Sequence, residues 1–267
     1  MKVMHAVGSY RGLPIEDDQS LVDLELPVPD PRPHDLLVAV EAVSVNPVDA
    51  KMRASLDPSD EPTVLGFDAV GTVTAIGDAV QRFAVGDRVY YSGDNGRQGS
   101  NAKFQAVDER IVGHAPTSLS AGDAAAMPLT TIVAWEALFQ RLRLTADDTG
   151  TLLVVGASGG VGSIVIQLVK QRTGLRVIGT ASRPESQEWS RRMSADLTVD
   201  HSGDPVGAVL EALRRMGSTR SSPRTPTAWS TRSAAWSRRS GRSSPSTSSA
   251  TTASTPSRRR ASPGTGS

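Results

Sequence analysis

Four glycines and a serine, set between an apolar run and a helix-compatible run, are the residues of this chain best placed to do chemistry. Residues 151–170 read TLLVVGASGGVGSIVIQLVK. Their pattern predicts a strand over 151–155, a glycine-rich turn over 156–162 and a helix over 163–170, the context in which G-x-G-x-x-G indicates a dinucleotide site. In that alignment Ala157 replaces the first glycine, Gly159 is the second and Gly162 the third. A missing Cβ at Gly159 lets a pyrophosphate approach the backbone, and one at Gly162 lets helix and strand pack closely. The helix then points its free N–H groups and positive dipole end at the phosphates. Gly156, Ala157, Ser158, Gly159, Gly160, Val161 and Gly162 are therefore the candidate cofactor-binding residues of the turn.

The next strand, predicted over 176–180, runs into Ala181-Ser182-Arg183-Pro184. A site for NAD places Asp or Glu about 20 residues beyond the turn, to hold the ribose 2′-hydroxyl. Here the place holds Ser182 and Arg183. A hydroxyl and a guanidinium suit a 2′-phosphate, which Arg grips with paired hydrogen bonds. NADPH is the expected cofactor. Glu185 stands close by, and an exposed loop arginine is the competing reading of Arg183.

These residues need a scaffold. Residues 1–125 read as a β-rich domain, with alternation in 36–43 and 70–76 and Pro and Gly between runs. Residues 126–140 look helical. From 151 onward strand and helix alternate: helix over 185–193, strand over 197–199, helix over 206–216. In the last helix Val206, Val209, Leu210 and Leu213 form one apolar stripe expected to face a sheet. The domains expected are 1–125, 126–217 and a tail, 218–267.

The tail breaks the pattern. It contains 16 Ser, nine Thr, nine Arg and five Pro, and no Leu, Ile, Val, Met or Phe, so it has little apolar surface to offset the entropy of ordering and is expected to be disordered. The abruptness of the change at Gly217 suggests a shift of reading frame, which the coding DNA would reveal. The tail's nine Arg leave the first 217 residues at −8 within a chain of net charge +1. An acidic body gives no support for a nucleic-acid-binding core. The chain has no cysteine, which removes disulfides, thiolate–zinc sites, iron–sulfur clusters and cysteine nucleophiles. Without a charged-then-apolar leader or a long apolar run, a soluble cytoplasmic protein with no membrane or nucleic-acid partner is expected.

Several ordered motifs carry a family resemblance. Gly71-x-Val73-x3-Gly77-x5-Phe83-x2-Gly86-Asp87-Arg88-Val89 is long and specific. Ser44-Val-Asn-Pro-Val-Asp49, Leu65-Gly-Phe-Asp-Ala-Val-Gly71, Gly99-Ser-Asn-Ala-Lys-Phe104 and Ala157-Ser-Gly-Gly-x-Gly162-x4-Gln167-x2-Lys170 accompany it. With them the first 217 residues resemble the medium-chain dehydrogenase/reductase superfamily, in its quinone oxidoreductase branch, nearest the zinc-type alcohol dehydrogenase-like group. The resemblance implies an α/β protein: a GroES-like β-barrel domain plus an incomplete Rossmann domain, a doubly wound parallel sheet. In the strand order 3-2-1-4-5-6, strands one to three are present. Strand one would then form an apolar open edge, and the half of the nicotinamide pocket across the crevice is missing. Full-length relatives are homodimers through the far end of that sheet.

The resemblance also assigns roles. Zinc-dependent relatives have Cys where Asn46 stands, His where Phe67 stands and Glu where Asp68 stands. Neither Asn nor Phe suits zinc here, residues 90–101 carry no cysteine-rich lobe, and His5, His34, His114 and His201 show no ligand spacing, so no metal is expected. The implied reaction is hydride transfer from NADPH to a small electrophile, a quinone or an α,β-unsaturated carbonyl. Asn46 is the candidate donor to the acceptor oxygen, or else a turn residue before Pro47. Asp49 and Asp68 are candidates to orient neighbours or hold ribose hydroxyls, with loop capping as the alternative. Lys51 is expected to be solvated. Thr130 lies one turn before Val133, where relatives carry a Thr near the nicotinamide, and is a cofactor candidate whose competing role is helix capping or packing. Trp135 is expected in the core. The alternative function is an NADPH-binding protein without turnover.

Overall fold

A computed structural model describes residues 2–216. The tail expected to be disordered lies outside those residues. The first half runs β1 (Val3–Ser9), β2 (Val22–Pro27), β3 (Asp35–Ser44), α1 (Pro47–Ala54), β4 (Thr63–Val64), β5 (Asp68–Ile76), β6 (Arg88–Ser92), β7 (Phe104–Asp108), β8 (Val112–His114) and α2 (Ala121–Ala125). The second runs α3 (Pro128–Trp135), a π-helical turn (Glu136–Arg141), β9 (Thr149–Val154), α4 (Gly160–Arg172), β10 (Gly174–Thr180), α5 (Pro184–Arg192), β11 (Leu197–Val199) and α6 (Pro205–Arg215).

Period-two alternation makes the first half an antiparallel β structure. Five strands pair in the order β7-β3-β5-β6-β8, and β2-β1-β4 form a second sheet. Leu36 and Val38 of β3, Ala69 and Val73 of β5 and Val89 and Tyr91 of β6 meet in one core. Register shifts in the β3–β5 pair at Leu37/Val38 and Val40/Ala42 leave Thr74 of β5 and Glu41 of β3 out of register, the kind of irregularity that bends strands around a core. The start of β5 is enclosed on both faces, because Val70 packs against Ala124 and Ala125 of α2 while Ala69 faces the barrel. Asp68 opens this enclosed segment.

The second half is a parallel sheet in the order β11-β10-β9, which is 3-2-1 in chain order. Short β-branched runs buried on both faces are what a parallel sheet requires. Val177 points into a core with Val154, Val165 and Ile166, which α4 closes. Its neighbour Ile178 points to the other side, into a core with Val199 and Ala212, which α6 closes. Among the described residues β9 pairs only with β10, so it lies at an edge of the sheet.

Three expectations need correction. The helix after the glycine turn begins at Gly160, with Gly159 as N-cap, three residues earlier than predicted. On α6 the buried face is Ala208, Val209, Ala212, Leu213 and Met216, whereas Val206 is 66% and Leu210 48% exposed. Small alanines let the helix approach β11 closely, which turns the larger Val206 and Leu210 outward. Trp135 is 41% exposed rather than in the core. Its ring covers Phe139 at 4.6 Å between centroids, and the Arg172 guanidinium lies 5.8 Å from its own centroid. A large ring with a cation on its outer face is stable at a half-wet site.

Candidate functional site

The glycine turn owes its path to Gly156, whose φ of +70° carries the chain out of β9. The turn glycine is therefore Gly156, one residue before the alanine that the alignment put in that role. Ala157 is fully buried and donates its N–H to the Thr180 carbonyl at 3.1 Å. The Gly156 N–H donates to Thr180 Oγ1 at 3.1 Å, so the end of β10 holds the turn twice. Gly179 provides the room: a Cβ there would lie 2.7 Å from that of Ala157. Thr180 and Gly179 were missed in the sequence, although a lone glycine inside a strand signals close approach.

The other glycines divide by role. A Cβ on Gly162 would lie 2.5 Å from the Gly156 carbonyl oxygen, so α4 can cross the turn only without one. A Cβ on Gly159 would meet nothing closer than that oxygen at 3.4 Å. Gly159 and Gly160 are both exposed. Gly159 thus leaves a shallow open cradle at the start of α4, whose first-turn N–H groups lack intrahelical acceptors. Ser158 and Val161 border it and are half-buried. Ser163 braces it from behind, donating its hydroxyl to the Gly159 carbonyl at 2.8 Å while accepting from Trp189 Nε1 at 2.8 Å.

Ser182 and Arg183 follow β10 after the buried Ala181 and both are exposed, with Arg183 the N-cap residue of α5. The Arg183 side chain makes no hydrogen bond or ion pair among the described residues. The cradle and this free guanidinium fit a phosphorylated dinucleotide.

The second constellation is built on two helix starts and the head of a strand. Asn46 precedes α1 and is buried, and its backbone N–H donates to Asp49 Oδ2 at 2.6 Å, the returning half of a capping box. Its side chain turns elsewhere: Nδ2 donates to Asp68 Oδ2 at 2.8 Å. An ionised carboxylate only accepts, so the amide nitrogen must face it. Asp68 Oδ1 accepts the Leu129 N–H at 2.8 Å. Met127 supplies no side-chain cap to α3, and Asp68, reaching over from β5, takes that place at the positive helix end. Leu129 acts through its backbone, a role that carries no side-chain signal in sequence.

Burial sets the charge balance of this cluster. Asp68 has no exposed surface, and its burial pushes the carboxyl up to about 6 against the pull of the Asn46 and Leu129 hydrogen bonds, with Asp49 adding repulsion. Burial likewise raises Asp49, whose Oδ1 has no hydrogen-bond partner. Thr130 donates its hydroxyl back to the carbonyls of Ala126 and Met127, both at 3.2 Å, the capping role weighed against a cofactor role. Its methyl lies against the turn, 3.1 Å from where a Cβ on Gly160 would stand. The structure thus joins Asn46, Asp68, the first turn of α3 and the glycine turn by direct contacts. Lys51 sits apart, exposed on the last turn of α1.

These residues do not fit zinc. Asn46 spends its amide on Asp68, Phe67 has no lone pair, and both Asp68 oxygens are engaged. Among the described residues no cluster of three His, Cys, Asp or Glu could hold a metal ion. No helix among them is long and apolar enough to cross a membrane.

A barrel of this topology joined to a parallel 3-2-1 sheet with a glycine turn defines a class of dehydrogenase folds. Residues 32–137 match the alcohol dehydrogenase GroES-like domain. A zinc-type alcohol dehydrogenase-like protein of Staphylococcus aureus is 44% identical over 212 residues, 78% of this chain and 63% of that protein. A chloroplastic quinone-oxidoreductase homolog of Spinacia oleracea is 32% identical over 216 residues, 78% of this chain and 64% of that protein. The crystal structure of a putative zinc-dependent alcohol dehydrogenase from Rhizobium etli superposes with a TM-score of 0.75 at 49% identity, covering 80% of this chain and 63% of that one. Over more than three quarters of its length the chain is similar to these zinc-type alcohol dehydrogenase-like and quinone-oxidoreductase proteins, and it spans 63% of the length of the Staphylococcus aureus relative.

Proposed function

We propose that this chain is an NADPH-dependent oxidoreductase that works without a metal, reducing a quinone or an α,β-unsaturated carbonyl. The observation that carries the reading is the Asn46 Nδ2–Asp68 Oδ2 hydrogen bond of 2.8 Å, at positions where zinc-dependent relatives place metal-binding chemistry. A hydrogen-bond donor has replaced a Lewis acid.

NADPH supplies a hydride for an electrophilic carbon when bound. Gly156–Gly162, Ser182 and Arg183 would hold it: the open Gly159 and the N–H groups of α4 take the pyrophosphate, and Arg183 takes the 2′-phosphate. Thr130 supports the turn through its methyl. The Asn46 amide, held by Asp68, is the donor for the acceptor oxygen as negative charge develops there. A fixed donor in a buried site needs no reorganisation at that moment and is worth more than in water. Asp68 holds the amide in place, and Asp49 holds the backbone of Asn46.

The test follows NADPH oxidation by a quinone or an enone, with and without a metal chelator, beside an NADPH binding titration. The expected result is acceptor-dependent oxidation that a chelator leaves unchanged, and that Asn46→Ala lowers on the order of a hundredfold. Binding without oxidation would instead support the second reading, a nucleotide-binding protein without turnover.

A further inference from the structure

We infer that Asp68 is a positioning residue whose carboxylate couples the Asn46 amide to the first turn of α3 and, through Thr130, to the glycine turn. The inference rests on the oxidoreductase reading for its catalytic meaning, but the coupling itself is a property of the contacts. One oxygen of Asp68 accepts from Asn46 Nδ2 and the other from the Leu129 N–H, each at 2.8 Å. The two donors belong to different elements, the N-cap of α1 and the start of α3. Asp68 itself is fully buried at the head of β5, whose first four residues are all buried. A carboxylate fixed at both oxygens in a close-packed wall cannot follow one donor without disturbing the other.

The chain of contacts continues past Leu129. Thr130 is next in sequence, and its hydroxyl is tied into its own helix, so its methyl is held against Gly160. Gly160 opens α4 beside the Gly159 cradle. Any ligand that shifts the start of α4 therefore presses on the first turn of α3. Asp68 is the hydrogen-bonded link between that turn and Asn46. Coupling of this kind is reciprocal, so a change at Asn46 must equally be felt at Gly160.

Asp68→Asn keeps the shape of the side chain but has a single acceptor oxygen, so it cannot hold both N–H groups. Thr130→Ser breaks the chain at its other end: it removes the methyl and keeps the hydroxyl, and it serves if Asp68→Asn does not fold. The measurement is the NMR signal of the Asn46 side-chain amide during an NADPH titration, with binding followed separately by nicotinamide fluorescence. In the unsubstituted chain the Asn46 signal should move in step with NADPH occupancy. At saturating NADPH in either variant that movement should be lost. A stationary Asn46 signal in the NADPH-bound unsubstituted chain, or an undiminished movement in the variants, overturns the inference. Should no form of the chain bind NADPH, the functional reading fails, and a ligand-free comparison decides the coupling. Asn46→Ala should then shift the backbone amide signals of Thr130 and Gly160, and should not do so when Asp68→Asn is also present. Unmoved Thr130 and Gly160 signals in Asn46→Ala would overturn it.

Discussion

Gly159 and Gly162 lie three positions apart and do different work. Gly162→Ala drives a methyl to within 2.5 Å of the Gly156 carbonyl oxygen, so α4 must be displaced. A loss on the order of 1–3 kcal/mol in denaturant-measured stability is expected. Gly159→Ala meets only ordinary contact and should fold with unchanged stability, yet bind NADPH more weakly because the methyl occupies the cradle. Equal loss of stability in both variants would contradict this division. The spacing of the motif was legible in sequence because backbone approach demands glycine. Which glycine turns the chain was not, because the positive φ falls on Gly156 and Ala157 is accommodated by a distant residue, Gly179. Asn46, Asp49 and Asp68 could be singled out by resemblance, whereas the Leu129 N–H that completes them had no signature at all.

Among the elements, β5 bears directly on the site, and the segment following β6 on the stability of the barrel. Asp68 has a folded pKa of about 6, above its ordinary value of 3.8, so protonation favours the fold. Its contribution is full below about pH 4 and is lost as pH rises through 6, an effect on the order of 3 kcal/mol at 1.36 kcal/mol per pKa unit. Asp68→Asn should abolish that part of the pH dependence. Urea unfolding of both forms from pH 4 to 7 measures it, and parallel curves would refute the assignment. Asp35 has the opposite sign. Burial raises its carboxyl, but the Arg97 hydrogen bonds and the Arg32 N–H outweigh that and hold it below the usual range. That stability is present above about pH 4 and is lost as pH falls. Arg97 NH1 reaches Asp35 Oδ1 at 3.0 Å and so pins the loop between β6 and β7 to the start of β3. Arg97→Ala leaves a buried carboxylate short of donors and should cost about 2 kcal/mol near neutral pH. Period-two alternation made β3 and β5 readable, and the alternation of short strands with helices did the same for β10 and β11. The apolar stripe of α6 misled because size, not hydrophobicity alone, decides which face approaches a sheet: Ala208 and Ala212 went in, and Val206 and Leu210 stayed out.

Taken together, the described residues form a barrel wall carrying Asn46 and Asp68 and a three-stranded parallel sheet carrying the glycine turn, with α3 in contact with both. Within residues 2–216 the glycine turn and Arg183, the groups proposed for the pyrophosphate and the 2′-phosphate, both lie beyond the carboxyl ends of β9 and β10. We propose that Arg183 selects NADPH over NADH. Arg183 is exposed and its side chain is uncommitted among the described residues, so Arg183→Ala has no structural cost to confuse the result. The most direct measurement is a pair of fluorescence titrations, NADPH and NADH, on the chain and on Arg183→Ala. NADPH binding should be saturable and tighter than that of NADH by about tenfold or more, with that preference removed by the substitution. Equal affinity for the two cofactors in the unsubstituted chain, or a preference that survives Arg183→Ala, would contradict it.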